Sequence, residues 1–151
     1  MAIKLSAATR ASAPLLPESL AHAIEESRAC LLVAGSTWPQ DQSMLVTLLK
    51  EALDRGDNLY AIIAPHEPTE DHVRALLAAL PGEAIRYSEL MKESTAWVVS
   101  ERVIVVDSIG KLFGLYRYAD IAMVGGGFSA GVHNVLEAAV WGAPVIVGPN
   151  H

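Results

Sequence analysis

The chain has 151 residues with a formal net charge of −6, and 52% of them are hydrophobic. That length suits one domain with its own core, and an acidic chain without a basic stripe is not expected to bind nucleic acid. No apolar run approaches the roughly 18 residues of a membrane span, and the N-terminus lacks the apolar core of a secretory signal. We therefore expect the chain itself to be soluble and cytoplasmic.

Strand-like apolar runs alternate with helical patterns, which is typical of βαβ units around a parallel sheet. We expect residues 1–16 to form a tether and residues 17–151 to form one domain. The predicted helices cover residues 17–28, 41–55, 69–80, 111–118 and 133–141. The predicted strands cover residues 30–34, 59–64, 84–87, 103–106, 121–124 and 145–147. Because a further helix normally covers such a sheet, the end at His151 predicts a domain truncated at its C-terminus.

Four segments follow predicted strands, at the edge where open parallel sheets bind their ligands. They are Gly35-Ser36-Thr37, Pro65-His66, Ser108-Ile109-Gly110 and the loop from Gly125 to Gly131. The first offers hydroxyls and amides to a phosphate, although Ser36 or Thr37 would serve equally well as a helix cap or turn residue. His66 follows a buried strand beside prolines, so we expect it to point outward, whereas we expect His72 to lie on the solvated side of a helix.

The three consecutive glycines from Gly125 to Gly127 are the strongest local signal, since glycine permits close approach of a ligand to the backbone. The predicted helix beginning near His133 would point free N–H groups at an anion. His133 and Glu137 are four residues apart and would share a helical face. The alternative is that Asn134 caps this helix with Glu137 as its capping-box partner. The loop lacks the dinucleotide spacing G-x-G-x-x-G, and no histidine has the companion ligands that a metal site needs.

Several blocks form an ordered signature over about residues 30–151. They are residues 34–39, 107–112, 124–128, 133–139 (HNVLEAA) and 141–149 (WGAPVIVGP). The last two fit the pattern H-N-x-L-E-x-A-x-x-G-x-P-V-x-x-G-P, and the set resembles the C-terminal domain of 3-deoxy-D-manno-octulosonic acid (Kdo) transferases. The helix with N-x-x-E and the G-x-P-V segment alone would indicate only the wider GT-B class of glycosyltransferases.

The resemblance implies an α/β fold, a Rossmann-like parallel sheet flanked by helices, as the C-terminal half of a GT-B glycosyltransferase. Such enzymes move Kdo from CMP-Kdo to a lipid A precursor in lipopolysaccharide core biosynthesis, at the cytoplasmic face of the bacterial inner membrane. In this family the catalytic glutamate, the acceptor site and the membrane anchor belong to the other domain. The resemblance therefore places no catalytic residue here, implies no cofactor and no metal, and predicts that this chain is inactive alone.

By the same resemblance, seven residues are expected to contact the CMP moiety, with Glu137 on the ribose. They are Pro65, His66, Ile109, Gly110, Lys111, Asn134 and Glu137. Further candidates for donor contact are Gly35, Ser36, Thr37, Gly127 and His133. In the family an arginine precedes the histidine that corresponds to His66. This chain has Pro65 at that position, so one positive charge that would pair with the phosphate is missing.

Other functions stay open on the sequence alone. A donor domain of another GT-B enzyme, a UDP-sugar transferase or epimerase, would prefer uridine nucleotides to cytidine nucleotides. A non-catalytic nucleotide-binding module would bind a nucleotide without any transfer. A purely structural α/β domain would bind none.

Overall fold

The computed structural model describes residues 14–82, 84–92, 102–129 and 131–151. Its strands are β1 (Cys30–Thr37), β2 (Leu59–Pro65), β3 (Ala84–Arg86), β4 (Val103–Val105), β5 (Ile121–Val124) and β6 (Val145–Val147). They form one parallel sheet in the order β3-β4-β2-β1-β5-β6. The central strands are continuous apolar runs because both faces of the sheet are covered.

Helices follow most of the strands, as the βαβ pattern predicts. They are α1 (Glu18–Ser27), α2 (Pro39–Asp54), α3 (Glu70–Ala79), α4 (Tyr87–Lys92), α5 (Leu112–Leu115) and α6 (Leu136–Ala139), with a 3₁₀ turn at Tyr116–Tyr118. Proline begins α2, and the Thr69 hydroxyl caps α3 by accepting the His72 N–H at 3.3 Å. None of the described helices is long and apolar enough to cross a membrane.

Alternate strand residues face two hydrophobic cores, one on each side of the sheet. One core contains Leu20 and Ile24 of α1 with Val33 of β1. The other contains Leu45 of α2 and Leu76 of α3 against neighbouring positions of the same strands. The expected α/β architecture, a parallel sheet flanked by helices, is confirmed.

Two predicted elements differ from the structure around the glycine loop. Strand β1 continues through Ser36 and Thr37 with a bulge, where Ser36 has a φ of 51°. The last helix covers only Leu136–Ala139, not 133–141, because the His133 N–H bonds to the Gly125 carbonyl at 3.3 Å and lies outside the helical ladder. The expectation that His133 and Glu137 share one helical face is therefore wrong.

Of the predicted tether, residues 1–13 lie outside the described residues. Leu16 is buried in the core at 2% exposure. The Leu15 N–H donates to the Tyr118 hydroxyl at 3.3 Å, and the Tyr87 hydroxyl donates to the Leu15 carbonyl at 2.6 Å. Residues 15 and 16 are thus packed against the domain. That the preceding residues form a tether stays a prediction.

Candidate functional site

The carboxyl ends of β1, β2, β4 and β5 lie at one edge of the sheet. From β1 the chain builds the side containing β2, β3 and β4, and then crosses to place β5 on the other side of β1. This reversal is the position at which open α/β sheets bind their ligands. All four segments singled out in the sequence lie at or directly after the carboxyl ends of these four strands.

Two adjacent cavities lie between the segments after β1, β2 and β4. The smaller, of about 150 Å³, is lined in part by Ser36, Pro65, His66, Ile109 and Gly110. The more open one, of about 540 Å³, shares His66 and Ile109 with it. Ile109 lines both cavities and is 86% exposed, so its side chain is accessible from solvent. Five of the twelve predicted contact residues thus line one recess.

Three rings form a cluster beside these cavities, and we call Trp38, His66 and His133 the aromatic stack. The Trp38 Nε1–H donates to His133 Nε2 at 2.9 Å. His66 stacks on both partners, with ring centroids 4.7 Å from Trp38 and 4.4 Å from His133. The structure therefore brings together two histidines that are 67 residues apart in sequence, and adds a tryptophan that we did not predict.

The carboxylate of Asp41 connects the start of α2 to the glycine loop. Its Oδ2 accepts the Trp38 N–H at 2.7 Å and the Gly126 N–H at 2.9 Å. The side chain is fully buried, and its Oδ1 has no hydrogen-bond partner among the described residues. Pro39 at the start of the helix and an acid at the third position signal a helix start in the sequence, but the bond to Gly126 carried no such signal.

The glycine loop contains three consecutive glycines because other backbone segments of the protein pack closely against it. A Cβ on Gly125 would lie 2.3 Å from the Ser36 carbonyl oxygen, and one on Gly127 would lie 2.4 Å from the Gly148 nitrogen. Gly126 has a φ of +95°, which disfavours any other residue. Internal packing alone therefore accounts for these three glycines, so their presence does not by itself indicate a ligand.

Asn134 and Glu137 contact each other at the start of α6. The Asn134 Oδ1 accepts the Leu136 N–H at 3.1 Å, and its Nδ2 donates to Glu137 Oε1 at 3.3 Å. The capping box weighed from the sequence is not formed, because Val135 is the N-cap of α6 and the two bonds of Asn134 run to the Leu136 N–H and to the Glu137 side chain. Both side chains are exposed, so the same carboxamide and carboxylate remain accessible to a ligand.

The segment Gly35–Thr37 presents mainly one side chain to the site. The Thr37 hydroxyl donates to the Ala64 carbonyl and accepts from Gln42 Nε2, so it is engaged internally. A Cβ on Gly35 would lie 2.1 Å from the Tyr116 hydroxyl, which makes glycine necessary for packing there. Ser36 is the member of the segment that lines the smaller cavity.

His72 is half-buried with both ring nitrogens hydrogen-bonded, whereas the helical pattern predicted a solvated side chain. Its Nε2 lies 2.9 Å from Gln42 Oε1 and its Nδ1 lies 2.9 Å from the Glu67 carbonyl oxygen. These bonds tie α3 to α2 and to the loop that carries His66. A helical wheel shows only which face a residue occupies, and cannot show that a neighbouring helix covers that face.

Tyr116 lies beneath the site with its ring fully buried. Burial raises the pKa of its hydroxyl well above the ordinary value, and the negative charge of Glu137 raises that pKa further. Among the described residues, no group of three or more His, Cys, Asp and Glu side chains could hold a metal ion.

Several curated relatives of the chain are described as 3-deoxy-D-manno-octulosonic acid transferases. The 3-deoxy-D-manno-octulosonic acid transferase of Chlamydophila psittaci is 38% identical over 122 residues, which is 80% of this chain and 27% of that protein. The transferase of Aquifex aeolicus is 32% identical over 119 residues, or 78% of this chain and 31% of that protein. The chain thus spans about a quarter to a third of the length of these relatives. No family model matches it.

Among solved structures, the chain is similar to the C-terminal CMP-Kdo binding domain of WaaA from Acinetobacter baumannii. The TM-score is 0.71 at 25% sequence identity, over 87% of this chain and 69% of that one. The resemblance read from the sequence blocks is confirmed by both comparisons. The chain is a homologue of the Kdo transferases and has the Rossmann-like fold of a GT-B C-terminal domain.

Proposed function

We propose that this chain, a homologue of the Kdo transferases, binds the CMP moiety of CMP-Kdo as the donor domain of a GT-B glycosyltransferase. One observation carries the proposal: the strand-end segments at His66, Ile109 and His133 meet at the switch-point edge of the sheet. The fold that places them there is similar to that of a domain described as binding CMP-Kdo.

The chemistry of the edge suits a nucleotide with a single phosphate diester. The recess between Ile109, Gly110 and Ser36 offers an apolar wall and backbone groups to a pyrimidine. The Glu137 carboxylate, exposed at the start of α6, is a strong acceptor for ribose hydroxyls. The imidazoles of His66 and His133 lie between these regions and can donate to phosphate oxygens, where Pro65 supplies no charge.

In the full enzyme this domain would orient the donor and stabilise CMP as it leaves. Fixed orientation and hydrogen-bond donors aimed at developing charge lower the barrier without any proton transfer by the domain itself. The resemblance assigns the catalytic glutamate, the lipid A precursor acceptor and the attachment to the cytoplasmic face of the inner membrane to the N-terminal domain. We therefore expect this chain alone to bind CMP and to transfer no Kdo.

The test is an NMR titration of the ¹⁵N-labelled chain with CMP, using UMP as the control ligand. Shifts concentrated at Gly110, Asn134 and Glu137 with CMP preferred would support the proposal. An equal response to CMP and UMP would indicate another GT-B donor domain, and no response to either would refute nucleotide binding by this chain.

Two substitutions sharpen the titration. Glu137→Gln removes the charged acceptor, and we expect CMP affinity to fall about 10-fold or more, because hydrogen bonds to charged groups contribute about 1.5–3 kcal/mol. Asn134→Ala removes the neutral neighbour and should cost about 3- to 10-fold. Glu25→Gln, an exposed change on α1, is the matched control and should leave the affinity unchanged.

A further inference from the structure

The backbone N–H groups of the three residues in the aromatic stack are hydrogen-bonded within the protein, so their main chain is fixed without a ligand. The Trp38 N–H is bound by Asp41 at 2.7 Å, and the His66 N–H donates to the Thr37 carbonyl at 2.9 Å. The His133 N–H donates to the Gly125 carbonyl. Each ring therefore starts from an anchored main chain at the end of β1, β2 or β5.

Within the stack, the rings of Trp38 and His133 are nearly parallel. The two ring planes are inclined by 7° and their centroids are 6.1 Å apart. The hydrogen bond of 2.9 Å joins the indole Nε1 of Trp38 to Nε2 of His133. His66 lies across this pair, inclined by 18° to the indole and by 24° to the other imidazole. The indole thus contacts both histidines, one through its N–H and the other through its face.

The hydrogen bond determines the protonation pattern of His133. An indole nitrogen can only donate, so the His133 Nε2 that receives this bond carries no proton. A neutral imidazole has one proton, which must then be on Nδ1. Among the described residues, neither His133 Nδ1 nor the ring nitrogens of His66 have a hydrogen-bond partner. Nδ1 is therefore left as a free donor at the edge where the nucleotide is proposed to bind.

We propose that Trp38 is a positioning residue of the donor site. It holds His133 in the tautomer protonated on Nδ1 and keeps His66 stacked beside it, so that both imidazoles donate to the phosphate of the nucleotide. The proposal rests on the proposed function for its ligand, whereas the tautomer is a property of the free protein. An imidazole free to exchange tautomers would offer the phosphate a bare nitrogen for part of the time.

The first measurement is a long-range ¹H–¹⁵N correlation spectrum of the histidine side chains, with His133 assigned by a His133→Gln variant. In the free chain we expect a protonated Nδ1 and an unprotonated Nε2 for His133. Trp38→Phe keeps a ring for stacking but removes the N–H donor, and it should shift His133 toward the tautomer protonated on Nε2. A protonated Nε2 in the unmodified chain, or an unchanged pattern in Trp38→Phe, would overturn the proposal.

Trp141→Phe is the matched control. Its indole Nε1 is buried with no hydrogen-bond partner among the described residues, and its ring packs against Phe113 at 5.3 Å. The substitution therefore changes a tryptophan to phenylalanine without removing a hydrogen bond, and it should leave the His133 nitrogen pattern as it is. Equal changes in both variants would mean a general disturbance of packing, and would count against Trp38 as a positioning residue.

The second measurement is CMP affinity by the same titration. Trp38→Phe should weaken CMP binding by about 3- to 10-fold, which corresponds to loss of one neutral hydrogen bond in the site, while Trp141→Phe should bind normally. Unchanged affinity in Trp38→Phe would overturn the positioning role. If the unmodified chain does not bind CMP, the proposed function is refuted. The histidine ¹H–¹⁵N spectrum would then still show whether Trp38 determines the tautomer of His133.

Discussion

Replacing Asp41 should destabilise the fold, because its carboxylate joins the start of α2, which follows β1, to the glycine loop, which follows β5. Its Oδ2 accepts two backbone N–H groups, from Trp38 and Gly126, and the side chain is fully buried. Asp41→Ala leaves both amides without an acceptor in a place that water does not reach. Asp41→Asn keeps an oxygen for them but removes the charge and places an amide nitrogen where Oδ1 has no partner.

The magnitude follows from the count of orphaned groups. Each buried polar group left unpaired costs about 1–3 kcal/mol, so the two amides orphaned in Asp41→Ala should lower the unfolding free energy by about 2–6 kcal/mol. Since charge-assisted bonds are about twice as strong as neutral ones, Asp41→Asn should lose about 1–2 kcal/mol. Total stabilities of domains are about 5–15 kcal/mol, so the alanine variant loses a large fraction.

Urea denaturation followed by circular dichroism measures both variants. Asp41→Ala should lower the midpoint by about 1 to 3 M for a slope of about 2 kcal/mol per M, and Asp41→Asn should lower it less. Asp54→Ala, an exposed acid on the same helix, is the control and should stay within about 0.5 kcal/mol of the unmodified chain. If Asp41→Ala is no less stable than Asp54→Ala, the two hydrogen bonds do not hold the loop and the reasoning fails.

Three further predictions concern packing and pH. Gly125→Ala should cost about 3 kcal/mol or more in thermal unfolding, because its Cβ would lie 2.3 Å from a carbonyl oxygen at the end of β1, which cannot rotate away; a loss below about 1 kcal/mol would contradict this close approach. Leu16→Ala should cost about 2–5 kcal/mol, whereas Leu48→Ala, at 44% exposure, should cost far less; equal losses would remove residue 16 from the core. The buried Tyr116 has a raised pKa, so its contribution to stability is complete below the unfolded value of about 10 and is lost as the pH rises from there toward the folded value. Denaturation midpoints at pH 8 and pH 11 should therefore differ less in Tyr116→Phe than in the unmodified chain, and an equal difference would refute the assignment.

The sequence by itself determined the class of fold and the edge at which to look. Apolar runs such as Leu59–Pro65 and amphipathic segments such as Pro39–Asp54 are local patterns, and each encodes its own element through hydrogen bonding and burial along a short stretch. Because parallel strands end at one edge, their order in the chain was sufficient to bring the four segments together. The ordered blocks also indicated the resemblance to the Kdo transferases, because a motif is recognised from the order of residues without any knowledge of contacts.

Only the tertiary structure decided which side chains meet at that edge. The Trp38 bond to His133 spans 95 residues and the Asp41 bond to Gly126 spans 85, and no local pattern records either one. The same holds for the glycines, whose Cβ positions are excluded by backbone that arrives from distant strands. It also holds for α6, which is short because the His133 N–H bonds to Gly125 outside the helix. These contacts form only when β5 crosses to the far side of β1, so their energies depend on distances that exist in the folded sheet and nowhere along the chain.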